Sequence, residues 1–112
     1  MHDMRIWDLP PNLLCRKHLL GEHRELHAIW TILTTDKKGY RKHPETKRWE
    51  GKLAALYKRH EDEVRAMAER HYTHASPLDK RLAVGEATQN EMVHTIEEQI
   101  TLLKNKQCDC FN

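Results

Sequence analysis

From Trp49 onward, apolar and histidine side chains recur at Leu53, Leu56, Tyr57, His60, Val64, Met67, Ala68 and His71. That i, i+4, i+7, i+8 spacing puts them on one face of an α-helix, whereas a strand would scatter them over both faces of a sheet. A chain carrying such a stripe must bury it against a second apolar surface, so helix-on-helix packing is the natural solution. Pro44 pre-sets the backbone for the start of this helix, and Glu45 suits the positive end of its dipole. The spacing therefore predicts a helix over 44–72. Gly51 costs it about 1 kcal/mol relative to alanine, a tolerable amount in so long an element and one that permits a close backbone approach.

The surface it packs against is expected upstream. Pro10 and Pro11 stop what precedes them and open a helix over 12–33, in which Cys15, Leu19, Leu26, Trp30 and Leu33 fall within an arc of about 60°. Thr34, Thr35, Asp36 and Gly39 then mark a loop. Ser76-Pro77-Leu78-Asp79 reads as the start of a short helical turn that Gly85 ends. Thr88-Gln89-Asn90-Glu91 reads as a capping box opening a third helix over 88–105, with Met92, Ile96, Ile100 and Leu103 on one face. With 112 residues, four glycines and four prolines, the expected fold is all-α: a compact single domain, 1–112, of about three helices with short loops, preceded by an N-terminal arm over 1–11.

Charged residues make up 32% of the chain and hydrophobic ones 38%, which suits a modest core rather than disorder. The net charge is only +2, so distribution matters more than the sum. Lys37, Lys38, Arg41, Lys42, Lys47, Arg48 and Lys52 are opposed locally only by Glu45 and Glu50, while Glu61, Asp62, Glu63, Glu97 and Glu98 gather elsewhere. One basic patch is expected, although a solvated lysine-rich loop has the same composition. No apolar run approaches the roughly 18 residues of a membrane span, and Met1 to Pro11 lacks the pattern of a signal peptide; a cytoplasmic monomer without membrane contact is expected. The three cysteines then read as free thiols. Cys108 and Cys110 lack zinc-site spacing, the histidines are dispersed, and no metal or other cofactor is expected.

Beside the core arc of the first helix lies a second stripe. His18, Glu22 and Glu25 are spaced i, i+4 and i+7, within about 60° of one another. At the edge of a core face they are partly desolvated and their protonation is tunable. Arg24 points well away from Glu25, toward a separate partner. On spacing alone, such residues commonly form solvated ion pairs worth a few tenths of a kcal/mol.

The wording of the segment is more specific. His18-Leu19-Leu20-Gly21-Glu22-His23-Arg24-Glu25-Leu26 resembles the HLxxExREL signature of the pyrimidine-dimer DNA glycosylases, the phage-type UV-repair endonuclease V family. Met4-Arg5-Ile6 falls where that family has its N-terminus followed by arginine. Trp49 to Leu53, Leu56 to Arg59 and Arg70 to Tyr72 resemble its second helix and the following turn, and the stretch from Met4 to Lys80 looks like its short bacterial members.

The resemblance implies an all-α, metal-free DNA repair glycosylase with AP-lyase activity on double-stranded DNA containing a pyrimidine dimer or abasic site. The N-terminal α-amine attacks the sugar's anomeric carbon, the base leaves, a Schiff base forms and β-elimination nicks the strand. An α-amine has a pKa of about 7.7–8.0, so an appreciable fraction is neutral without special burial. Met1-His2-Asp3 precede the position where the family begins, so the resemblance places the amine on Met4 in a chain that starts there, with the amine of Met1 as the alternative. Neither His2 nor Arg5 is small enough to favour removal of the preceding methionine. Glu25 matches the catalytic glutamate, which stabilises the developing sugar cation and can move a proton. Arg5, His18 and Arg24 match residues that hold phosphates and the damaged site. Lys37, Lys38, Arg41, Lys42, Lys47 and Arg48 would track the DNA backbone. Ala28 stands where phage members carry a further DNA-binding arginine, and the Gln107–Asn112 tail lacks their aromatic, basic segment. Two other readings stay open: a helical nucleic-acid-binding protein of the same fold without the amine chemistry or acting on another lesion, and a helical interaction protein in which Trp30, Trp49 and Tyr57 are simply core.

Overall fold

The computed structural model describes residues 5–35, 43–73, 76–106 and 110. Among these residues the fold is all-α, with one isolated bridge between Lys52 and Gly85 and no strand. A 3-10 turn at Pro11–Leu13 leads into helix α1, Arg16–Thr35. The prolines thus set the turn, and α1 begins later and ends slightly later than the 12–33 expected. Helix α2 is a single turn, Pro44–Lys47, and α3 spans Leu53–Glu69. A 3-10 turn at Lys80–Leu82 follows, and α4 covers Ile96–Lys104.

The one helix expected over 44–72 is therefore two. Gly51 adopts φ 73°, in the left-handed region, where glycine is free of the Cβ clash that excludes other residues. The chain turns there instead of continuing, and the N-terminus of α3 must find acceptors for its unpaired N–H groups. The 84–86 segment supplies them: Ala54 N donates to Val84 O at 2.9 Å and Ala55 N to Glu86 O at 3.0 Å, while Glu86 N donates to Gly51 O at 2.9 Å. Gly85, at φ 84°, makes this approach possible, because a Cβ there would overlap the Gly51 carbonyl. At its other end α3 stops at Glu69, with His71 in the left-handed region at φ 63° and Tyr72 N bonded to Met67 O at 2.8 Å.

The third helix is also shorter than its expected 88–105. Residues 88–95 are irregular, and the capping box that forms is Thr95 with Glu98, not Thr88 with Glu91. Lys52 Nζ holds Gln89 Oε1 at 2.8 Å and Glu91 Oε1 at 3.2 Å, so 89–91 serve as a strap across the α2–α3 turn. The Ser76-Pro77 cap likewise moves on, to Asp79, whose side chain accepts from Arg81 N.

Helices α1 and α3 pack across two apolar clusters. The first contains Ile6, Leu26, Ile29, Trp30, Trp49, Ala55 and Leu56, and the second Trp7, Leu9, Leu14, Leu19, Ala66, Met67 and Leu103. Leu19, Leu26 and Trp30 of the expected core arc are buried, and Leu33 is half-buried against the first cluster. The N-terminal arm is part of the core, since Ile6 enters one cluster while Trp7 and Leu9 enter the other. The radius of gyration is 13.7 Å, close to the roughly 13 Å of a globule of this length.

Candidate active site

The arm reaches α1 through buried polar groups. Trp7 N donates to Glu22 Oε1 at 2.7 Å and Ile6 N donates to Glu45 Oε1 at 3.1 Å. Asp8 N donates to Gln99 Oε1 at 2.7 Å, and Gln99 Nε2 returns a bond to Asp8 Oδ2 at 3.0 Å. Three consecutive backbone N–H groups are thus fixed by side chains from α1, α2 and α4. This satisfies donors that burial would otherwise leave unpaired, and it orients residues 5–9 along α1.

On this arm the Arg5 guanidinium lies over the Trp7 ring at 4.7 Å, and Trp7 meets His18 edge-on with centroids 6.0 Å apart. Arg5 and His18, far apart in sequence, are neighbours through one indole. His18 also contacts two thiols, Cys15 Sγ at 3.1 Å and Cys110 Sγ at 3.4 Å. Burial, then the charges of Lys106 and Lys17, hold its pKa below the ordinary histidine value, which favours the uncharged ring near neutral pH.

Glu22 and Glu25 part company despite sharing a stripe. Glu22 is 2% exposed, and its carboxylate forms a fork with Arg59, Nε to Oε2 at 2.8 Å and Nη2 to Oε1 at 3.0 Å. Arg59 also donates to Leu9 O at 2.7 Å and lies 3.4 Å from Glu63 Oε2. Burial pushes the carboxyls of both Glu22 and Glu63 upward, and Arg59 opposes the rise in each. These groups hold the arm, α1 and α3 together. Glu25, one turn further along α1, is half-buried and has no hydrogen-bond or ion-pair partner among the described residues. Of the two carboxylates, Glu22 alone is engaged by partners among the described residues. Arg24 is exposed on another side of the helix, as its spacing implied.

Of the remaining expected residues, Lys47 is exposed in α2. Met4, Lys37, Lys38, Arg41 and Lys42 lie outside the described residues. Arg48 departs from the expectation of a DNA contact. It is 4% exposed and donates to Glu45 Oε1 at 2.8 Å, Asp8 Oδ1 at 2.9 Å, Ile6 O at 2.8 Å and Glu91 O at 2.7 Å. Its donors are consumed in joining the arm, α2 and the 89–91 strap. The first carboxylate inside α2 explains the change: Glu45 is buried and captures Arg48 one turn on, where the sequence reading gave it only a dipole role.

Three residues that sequence reasoning passed over also converge here. His23 and His27 are one turn apart on α1, and His60 faces them from α3. His23 Nε2 lies 3.1 Å from His27 Nε2, and His27 Nε2 lies 3.2 Å from His60 Nε2. The i, i+4 histidine pair was a visible signal, but its third member is 33 residues away.

The sequence that builds this arm and these two helices falls within one protein family. The model of that family, the pyrimidine dimer DNA glycosylases, matches residues 4–80. The chain belongs to this family. The matched span is the stretch over which the sequence resemblance runs, and membership gives the protein the general role of a DNA glycosylase with DNA as its substrate. No match was found among curated proteins or among solved structures. No helix among the described residues is long and apolar enough to cross a membrane.

Proposed function

We propose that this glycosylase acts on pyrimidine dimers in UV-damaged double-stranded DNA and nicks the strand as an AP lyase, through a Schiff base formed by the α-amine that Met4 carries in a chain beginning at that residue. The observation that carries the reading is the bond from Trp7 N to Glu22 Oε1 at 2.7 Å. It anchors the arm on α1 one helical turn, about 5 Å, from Glu25, with Arg5, directly after Met4 in the chain, as the first described residue.

In this reading the neutral amine attacks C1′ of the damaged nucleotide and the C1′–N bond breaks, its electron pair leaving with the base. Positive charge that builds on the sugar is stabilised by Glu25, whose carboxylate has no ion-pair partner among the described residues. The bound amine loses a proton, and its lone pair then forms the C1′–N double bond as the C1′–O4′ bond breaks and O4′ takes up a proton, which opens the sugar and gives the protonated imine. Glu25 then accepts the C2′ proton, and the 3′ phosphate departs by β-elimination. Arg5 supplies a fork for a phosphate, and the Trp7 face behind it limits the rotamers it can adopt. Arg24 and Lys47 supply further phosphate contacts, with Lys37, Lys38, Arg41 and Lys42 assigned to the same task from the sequence. Extruding the damaged nucleotide is cheaper at a dimer, where stacking is already disturbed.

Borohydride trapping tests the reading. With UV-irradiated or abasic duplex the expected result is a covalent protein–DNA adduct whose attachment maps to the N-terminal residue. Glu25→Gln should bind the duplex and lose at least about a hundredfold in adduct formation and nicking. Absence of an adduct from chains beginning at Met1 or at Met4 would overturn it. Salt-sensitive DNA binding without an adduct would leave a same-fold binding protein without the amine chemistry.

A further inference from the structure

We infer that His23, His27 and His60 form a binding site for a divalent metal ion of the zinc type, tying α1 to α3. Glycosidic cleavage by an amine needs no metal, so the site is separate from the chemistry proposed above, and it was not expected from the sequence.

The three imidazoles present their Nε2 atoms to one another at 3.1 Å and 3.2 Å, and one ligand atom from each lies within 4.8 Å of the others. Tetrahedral zinc with nitrogen ligands at about 2.0–2.1 Å needs ligand separations of about 3.3 Å. The outer atoms are arranged as metal-bound histidines require. His23 Nδ1 donates to Glu63 Oε1 at 2.8 Å and His60 Nδ1 donates to Glu61 Oε2 at 2.7 Å. A carboxylate on Nδ1 assigns the proton to that nitrogen, turns the ring and leaves Nε2 as a lone pair. A cation at their meeting point would take one nitrogen from each ring as a ligand.

Charge favours the same occupant. Glu22 and Glu63 are both essentially buried and share one guanidinium, Arg59. Glu63 accepts from His23 through Oε1, and its Oε2 has no hydrogen bond among the described residues. A cation on His23 Nε2 would strengthen the Nδ1 bond to this carboxylate. Three neutral imidazoles select zinc, cobalt, nickel or copper over magnesium or calcium, which prefer oxygen ligands. Three protein ligands leave the fourth position to water.

Zinc added to the chelator-treated full-length protein should bind with 1:1 stoichiometry and raise Tm. His27→Ala should abolish that stoichiometric binding. Glu61→Gln keeps all three imidazoles and alters only a half-exposed partner; it should weaken zinc by about 10–100-fold. Cobalt in its place should show tetrahedral absorption without a thiolate charge-transfer band, and Cys15→Ser with Cys110→Ser should leave binding unchanged. The proposal is overturned by no stoichiometric uptake of either ion, by unaltered affinity in both His27→Ala and Glu61→Gln, or by a thiolate band, which would assign the ion to Cys15, His18 and Cys110 instead.

Discussion

Neighbouring residues on one helix stripe were given opposite tasks by their surroundings. Glu22 lies beneath the arm, where burial raises its proton affinity and the Arg59 fork holds it in place. Glu25 lies one turn on, half-buried and without an internal partner among the described residues. No spacing rule separates them, because both sit within the same arc. His18 is a third case. Its pKa lies below the histidine value of 6.5, so the unfolded chain takes up a proton first as pH falls through 6.5. The group therefore contributes stability that is lost on acidification and complete above neutrality. An NMR titration of the His18 ring should give a midpoint below 6.5. A midpoint at or above it would return His18 to the role of a cation facing phosphate.

At the scale of elements, the least legible boundaries were those set by partners distant in sequence. Periodicity correctly marked the faces of α1 and α3, because burying an apolar stripe dictates its own spacing. It ran α2 and α3 together because the break lies in a backbone angle at Gly51 and in acceptors supplied by residues 84–86. The same pairing makes Gly85 the most sensitive glycine. Gly85→Ala meets both the left-handed φ penalty and the Gly51 carbonyl, and should destabilise the protein by at least about 2 kcal/mol. Thermal denaturation measures this, and hydrogen exchange should show protection lost first at the Ala54 and Ala55 amides. A loss below about 0.5 kcal/mol would mean that the 84–86 segment does not cap α3 in solution.

For the whole molecule, Arg59 is an internal joint and Arg24 an exposed side chain that the proposed function assigns to DNA, although the sequence presents them alike. Arg59 joins the arm at Leu9, α1 at Glu22 and α3 near Glu63. Arg59→Ala strands two buried carboxylates and should lower global stability by about 3–5 kcal/mol in denaturant titration. Arg24→Ala removes an exposed side chain, so stability should change by less than about 0.5 kcal/mol, while DNA affinity falls and its salt dependence flattens by about one phosphate contact. If Arg59→Ala proves neutral, the arm is not held by this network. If Arg24→Ala leaves the salt slope unchanged, Arg24 does not meet the backbone.

The sequence by itself determined the fold class, the buried stripes of α1 and α3, and the family, through the run His18 to Leu26 and the arginine after Met4. Those features are local: helical faces repeat every few residues, and a motif is read along the chain. Only the tertiary structure decided which ionisable groups are internal. It turned Arg48 and Glu45 from surface charges into a buried joint and made Glu22 the anchor of the arm. It also brought His60 from α3 onto the His23–His27 pair. Such assignments depend on which element covers a given turn of helix, since burial and the nearest opposite charge set the cost of ionisation. Neither quantity is written in the spacing of one segment.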